Sequence, residues 1–97
     1  MVKKKTKRKL VSAAPGCSFW TCNGLILGNL KELRDALKKM DEKTFAYHVN
    51  KEKNDFARWI EDILQDADLS KKLRKLKTKK TSLKAISDHL KKIYSIK

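Results

Sequence analysis

The feature that most constrains the fold is an apolar pattern of helical period near the middle of the chain. Five large apolar side chains recur there at steps of one, three and four residues: Phe56, Trp59, Ile60, Ile63 and Leu64. This spacing places them on one face of an α-helix, which Asn54 can cap and Asp55 can stabilise by its charge. Because four of the seven aromatic residues lie between positions 45 and 64, the sequence predicts a core built around this segment.

Helical patterns also precede this segment. Asn29 followed by Glu32 forms a capping-box pattern that opens a helix ending near Met40. Asp41 opens a second helix, which runs to about Asn50. Three glycines and one proline in 97 residues are typical of a largely helical chain.

Two more helices are predicted in the last third of the chain. The first, residues 69–77, follows the acidic turn Asp66-Ala67-Asp68, and the second starts after a charged hinge at residues 78–81, with Thr81 or Ser82 as its cap. His89, on the second helix, is expected to lie exposed or at the periphery. The apolar stripe of this helix is narrow, so it either packs back on the Leu69–Leu76 side or dimerises; its members are Leu83, Ile86, Leu90 and Ile93.

These patterns predict an all-α fold, a compact bundle of four to five short helices with a disordered basic N-terminal arm. The arm is assigned to residues 1–16, the helical core domain to residues 17–77, and a basic C-terminal helix to residues 78–97. A chain of this length has no room for two independent cores.

The segment from Cys17 to Leu27 is expected to form an extended or turn-rich lid over the core, with Asn23-Gly24 as a turn. Pairing of its two short apolar runs as strands stays open. Cys17 and Cys22 have a spacing compatible with metal binding, but a closed zinc site needs four ligands. We therefore favour ordinary buried or half-buried thiols over a zinc site or a disulfide, and no metal or cofactor is predicted.

Charge falls into three blocks. Residues 1–16 carry a net charge of +6, residues 17–70 of −2 and residues 71–97 of +10, which together give +14. Such blocks repel themselves and are typical of proteins that bind a polyanion. Nucleic acid is the commonest polyanion in a cell, and an anionic membrane surface is the next.

The basic ends supply the candidate phosphate-binding residues. Each lysine or arginine that meets a phosphate releases a condensed counterion, which gives affinity without sequence preference. The N-terminal candidates are Lys3, Lys4, Lys5, Lys7, Arg8 and Lys9. The C-terminal candidates, called here the C-terminal basic surface, are Lys71, Lys72, Arg74, Lys75, Lys77, Lys79 and Lys80.

A second group of polar residues lies around the central helix. His48, Asn54, Asp55 and Asp62 contain half of a catalytic triad, but no local motif marks a nucleophile. A histidine at the end of one helix beside an Asn-Asp at the start of the next favours hydrogen bonds that lock the corner. We therefore assign His48, Asn54 and Asp55, together with Trp59, a structural role, and the sequence predicts no enzymatic activity.

The chain also resembles a known family. The residues concerned are Asn23-Gly24, Asn29-Leu30, Glu32-Leu33, Leu37, Met40, Phe45, His48-Val49, Asn54-Asp55-Phe56, Trp59-Ile60, Asp62 and Leu69. This pattern, NG…NL.EL…L..M….F..HV….NDF..WI.D over about residues 19–75, resembles a small helical domain of unknown function found in archaea and bacteria. The resemblance implies a helical fold and no particular activity.

The leading hypothesis is a nucleic-acid-associated protein that binds chromosomal DNA or ribosomal RNA without strong sequence specificity. The alternative is a protein-interaction module or small homodimer that uses the leucine and isoleucine faces of residues 69–76 and 83–93, with an acidic protein as partner. The longest apolar run, Leu25–Leu27, is far shorter than the roughly 20 residues of a membrane-spanning helix. We expect a cytoplasmic protein associated with the nucleoid or the ribosome.

Overall fold

The computed structural model describes residues 10, 12–14, 16–22 and 24–94. Within them, a two-stranded hairpin is followed by helices: β1 (Phe19–Trp20), β2 (Ile26–Leu27), α1 (Leu30–Lys39), α2 (Glu42–His48), α3 (Asp55–Asp62), α4 (Ala67–Arg74) and α5 (Lys79–His89). A π-helical turn, Leu90–Tyr94, extends α5. The predicted helical bundle is confirmed, and none of the described helices is long and apolar enough to cross a lipid bilayer.

Three of the predicted helix caps are present. The side chains of Asn29, Asp41 and Asn54 each accept a hydrogen bond from the backbone N–H three residues ahead. Glu32 completes the first cap by accepting the backbone N–H of Gly28 at 2.6 Å. These short-range bonds satisfy N–H groups that have no partner within their own helix.

The start of α5 differs from the prediction. The helix begins at Lys79 and is capped by Thr78, whose Oγ1 accepts the N–H of Thr81 at 3.1 Å. The predicted hinge at residues 78–81 and the cap at Thr81 or Ser82 are therefore wrong. Lys79 explains the extra turn, because its ammonium donates to the carbonyl of Met40 at 2.6 Å and holds the first turn of α5 against the end of α1.

The core draws on more of the chain than the predicted segment 45–64. α5 packs against both α1 and α4, and α3 packs against α4. The side chains that the fold removes completely from solvent therefore come from four helices and the π-helical turn, and include Leu33, Leu37, Ile60, Leu69, Ile86 and Leu90. At roughly 1.5–3 kcal/mol for each large apolar side chain buried, this shared core is the main stabilising contribution.

The hairpin covers one side of this core. Phe19 pairs with Leu27 and Trp20 with Ile26, so the strand pairing that the sequence left open is present. Because side chains alternate between the faces of a strand, Phe19 points inward, with its ring about 5–6 Å from those of His48, Phe56 and Trp59. Trp20 is 66 % exposed on the outer face.

A buried polar network joins α4 to the end of α5. Asp66 is 1 % exposed and caps α4 by accepting the N–H of Leu69. Its Oδ2 also accepts hydrogen bonds from Nε2 of His89 at 2.8 Å and from the hydroxyl of Tyr94 at 2.6 Å. Burial raises the pKa of Asp66, but these donors outweigh it and lower the pKa to about 2.

His89 is therefore part of the interior, and its predicted peripheral position is wrong. The residue is 7 % exposed. Its partner Asp66 lies far away in the sequence, so the helical period of residues 83–95 alone gave no sign of the contact.

Candidate nucleic-acid interface

The C-terminal basic surface follows from the way α4 is buried. Leu69 and Leu73 face the core, and Ser70 donates its hydroxyl to the carbonyl of Ala57 at 2.9 Å. With that side of the helix fixed, the remaining positions point to solvent. Six members of the surface are exposed, and Lys79 is half-buried.

Carboxylates neutralise little of this surface. Among the described residues, Arg74 is its one member in an ion pair, with Glu61 at 3.1 Å. Lys79 binds the carbonyl of Met40, which carries no net charge. The positive charge of the surface therefore stays largely uncompensated by the fold.

Two lysines outside the predicted set join this surface. Lys51 and Lys53 line a concavity of about 150 Å³ together with Arg74 and Lys77. We call this group of four the basic concavity. Its remaining lining residues are Glu52 and Asn54.

One hydrogen bond between α3 and α4 holds the two sides of the basic concavity together. Asn54 caps α3 with its Oδ1 and donates from Nδ2 to the carbonyl of Leu73 at 3.2 Å. This bond places the loop before α3 beside the end of α4. Lys53 lies 3.2 Å from Asp55 and 4.8 Å from the centre of the Tyr47 ring, so this lysine is partly compensated.

The charges of Lys51 and Lys53 were visible in the sequence, but their neighbours were not. The Lys-Glu-Lys step looked like a solvated connection between helices, and the pairing of this loop with residues 74–77 depends on the packing of α3 against α4. The N-terminal candidates Lys3, Lys4, Lys5, Lys7, Arg8 and Lys9 lie outside the described residues.

His48 connects the hairpin to α3. Its Nδ1 lies 2.9 Å from Oδ2 of Asp55, and its Nε2 accepts the backbone N–H of Cys22 at 3.1 Å. Because Nε2 acts as the acceptor, the neighbours assign the ring proton to Nδ1, which donates to Asp55. The lone pair that a general base would need is thus occupied in this arrangement.

The neighbouring cysteines take part through their backbone. The carbonyl of Cys17 accepts a hydrogen bond from the indole N–H of Trp59 at 2.8 Å. Both thiols are free and exposed, so the expected burial of these side chains is wrong. In the part of the chain that the structure describes, no cluster of three or more His, Cys, Asp or Glu residues is arranged to hold a metal ion.

The apolar faces named in the alternative hypothesis lie mainly inside the molecule. Leu69 and Leu73 are buried, as are Ile86 and Leu90, whereas the half-buried remainder consists of Leu76, Leu83 and Ile93. The narrow stripe on α5 is thus covered by α1 and α4 of the same chain.

Comparison with known proteins gives one family match. A family model described as a family of unknown function (DUF5752) matches residues 18–95. The match confirms the resemblance and continues beyond residue 75 through the C-terminal basic surface and α5. The searches of curated proteins and of solved structures give no match.

Proposed function

The chain belongs to this family of unknown function, and we propose that it binds nucleic acid through the phosphate backbone without reading base sequence. The observation that carries the proposal is that carboxylates of the same chain neutralise little of the positive charge on the C-terminal basic surface. Of the seven basic residues in the C-terminal basic surface, Arg74 alone forms an ion pair among the described residues. Apart from Lys79, which is half-buried, donates to the carbonyl of Met40 and lies near Asp41, the others are left to attract an external polyanion.

The basic concavity supports the same proposal. Cations from two separate segments meet there, and a phosphate oxygen can accept hydrogen bonds from several of them at once. Lys51 and Lys77 have no ion-pair partner in the described residues, so they are the members most available to a phosphate.

Sequence-independent binding agrees with the side chains on α4. Its exposed positions hold none of the asparagine or glutamine residues that read adenine, and its exposed cations Lys71, Lys72 and Arg74 can all contact phosphate oxygens. Chromosomal DNA and ribosomal RNA both present the phosphate backbone that this surface fits, so we place the protein with the nucleoid or the ribosome.

The proposal is tested by measuring affinity against salt concentration for duplex DNA, single strands and structured RNA. If eight basic residues meet phosphates of duplex DNA, log K falls with log salt at a slope of roughly −7. A version that lacks residues 1–9 shows how much of the affinity and of the salt dependence comes from the N-terminal arm. A slope near zero for all three nucleic acids would overturn the proposal.

A matched pair of variants locates the contact. Lys51→Gln/Lys77→Gln removes two charges from the basic concavity, and Lys31→Gln/Lys91→Gln removes two exposed charges elsewhere. The first variant is expected to bind more weakly and to lower the slope by about 2, because each lost phosphate contact contributes about 0.9. Equal losses in the two variants would show attraction by net charge without this interface.

Protein association through the leucine and isoleucine faces has weaker support, because those faces are largely buried within the chain. Sedimentation separates the two functions. A tight dimer or a complex with an acidic protein, combined with no affinity for DNA or RNA, would favour association.

A further inference from the structure

A larger cavity lies between α4 and the α5–π-helical segment and shares Lys72 with the C-terminal basic surface. Its volume is about 530 Å³, which is within the range of about 300–1,000 Å³ for small-molecule sites. Three aliphatic side chains contribute to its lining: Leu76, Ala85 and Ile93. All three are half-buried and lie beside the core.

One buried polar group opens into this cavity. His89 lines it and is 7 % exposed. Asp66 fixes the ring by accepting the Nε2 proton at 2.8 Å. The other ring nitrogen, Nδ1, has no hydrogen-bond partner in the described chain, and it is not among the atoms sealed from solvent without a partner. With the proton on Nε2, Nδ1 is an acceptor that is left available to an N–H or O–H group of a ligand.

The charges around the cavity favour an anion. Lys84 is paired with Asp88 at 3.2 Å, so these two largely compensate each other. Lys72 and Lys92 have no carboxylate partner in the part of the chain described, and Asp68 is the remaining acid of the lining. Two available ammonium groups therefore face one carboxylate.

We propose that this cavity binds a small organic anion. The aliphatic residues contact the apolar body of the ligand, Lys72 and Lys92 hold its anionic group, and Nδ1 of His89 accepts a hydrogen bond from an N–H or O–H group of the ligand body. The proposal does not depend on nucleic-acid binding, since the ligand is a small molecule and, of the residues named here, only Lys72 also belongs to the C-terminal basic surface.

The probes are three organic anions with different bodies: octanoate, 8-anilinonaphthalene-1-sulfonate and adenosine 5′-monophosphate, with inorganic phosphate as an anion that has no apolar body. NMR titration of the full chain is expected to give a one-to-one complex with at least one organic anion. That anion should bind about tenfold more tightly than phosphate, since burial of an apolar body adds to the affinity. Shifts should include the ring nitrogens of His89.

Two double variants of equal net charge test whether Lys72 and Lys92 contribute to anion binding. Lys72→Gln/Lys92→Gln is expected to lower the affinity for the tightest-binding probe about tenfold or more, because charge-assisted hydrogen bonds are lost. Lys71→Gln/Lys91→Gln alters exposed neighbours that do not line the cavity and should retain affinity within about twofold. Equal weakening in the two variants would overturn the proposal by showing non-specific attraction.

The cavity itself is tested by filling it. Ala85→Leu places three more carbon atoms against the half-buried lining and should abolish binding, while circular dichroism checks that the fold is kept. His89→Gln retains an amide donor for Asp66 but removes the acceptor Nδ1, and should weaken binding of the two probes that carry N–H or O–H groups, the anilinonaphthalene sulfonate and the nucleotide, in a protein that remains folded. Unchanged affinity of these probes in a folded His89→Gln variant, unchanged affinity of any probe in a folded Ala85→Leu variant, or no complex with any organic anion, would overturn the proposal.

Discussion

Asp66 is a fully buried carboxylate that the fold keeps ionised. Burial alone would favour its neutral form, but it accepts hydrogen bonds from the backbone of α4, from His89 and from Tyr94. A single residue thus joins the start of one helix to the end of another. Its stabilising effect depends on pH, because protonation would remove the charge that the donors complement.

We predict that Asp66→Asn reduces the loss of unfolding free energy at acidic pH. The folded-state pKa of about 2 lies below the ordinary value of 3.8, so the ionised carboxylate adds about 2 kcal/mol above pH 5 that is lost as pH falls from about 4 to 2. Asparagine can still cap α4 but does not titrate. Urea unfolding between pH 6 and pH 2 measures the difference.

The control is Asp62→Asn, which alters an exposed carboxylate 3.8 Å from Arg58. It should keep the pH dependence of the wild type. An Asp66→Asn protein with the same acid loss as the wild type would contradict the role given to this group.

His48 is a second buried polar residue that joins distant segments, here the hairpin and α3. We predict that His48→Ala destabilises the protein by about 2–4 kcal/mol, because it removes two hydrogen bonds and contacts with Phe19 and Phe56. Tyr47→Ala, beside it on the chain and 59 % exposed, should cost less than about 1 kcal/mol. Thermal unfolding measures both, and equal effects would refute the structural role.

At the scale of elements, hydrogen bonds within one helical turn could be predicted from the sequence, whereas contacts between distant segments could not. The caps at Asn29, Asp41 and Asn54 could be read from the sequence because each bond spans three residues. Lys51 could not be placed beside Lys77, because their meeting depends on helix packing. The position of His89 was missed for the same reason.

The start of α5 was ambiguous because Thr78, Thr81 and Ser82 are all capable caps. We predict that Thr78→Ala costs about 1 kcal/mol, as expected for loss of an N-cap. Ser82→Ala should be neutral or stabilising, because the buried Ser82 hydroxyl has no hydrogen-bond partner among the described residues. Chemical unfolding measures the stability of both variants. A larger loss of stability from Ser82→Ala than from Thr78→Ala would support Ser82 as the cap, as the sequence allowed.

At the scale of the whole molecule, positive charge exceeds negative by 14, and the ion pairs Arg58–Asp62, Arg74–Glu61 and Lys84–Asp88 have both partners exposed. Exposed pairs contribute little, whereas self-repulsion of a basic surface opposes compactness. The binding surface is therefore expected to reduce stability in the absence of a polyanion.

We predict that salt stabilises the free protein. Raising sodium chloride from about 10 to 200 mM shortens the Debye length from about 30 to below 10 Å and should raise the melting temperature by a few degrees, or roughly 0.5–1 kcal/mol. Circular dichroism melts measure the effect. A lower melting temperature in salt would mean that attractive pairs outweigh repulsion.

One of the two tryptophans is exposed and the other is buried, so the protein contains two intrinsic fluorophores in different environments. Trp20 stands in solvent on the hairpin, whereas Trp59 is 7 % exposed with its indole N–H bonded to Cys17. Acrylamide should therefore quench Trp20 emission and spare the bluer emission of Trp59 until the chain unfolds. Fluorescence can thus follow events at the hairpin and the integrity of the interior separately, without any label.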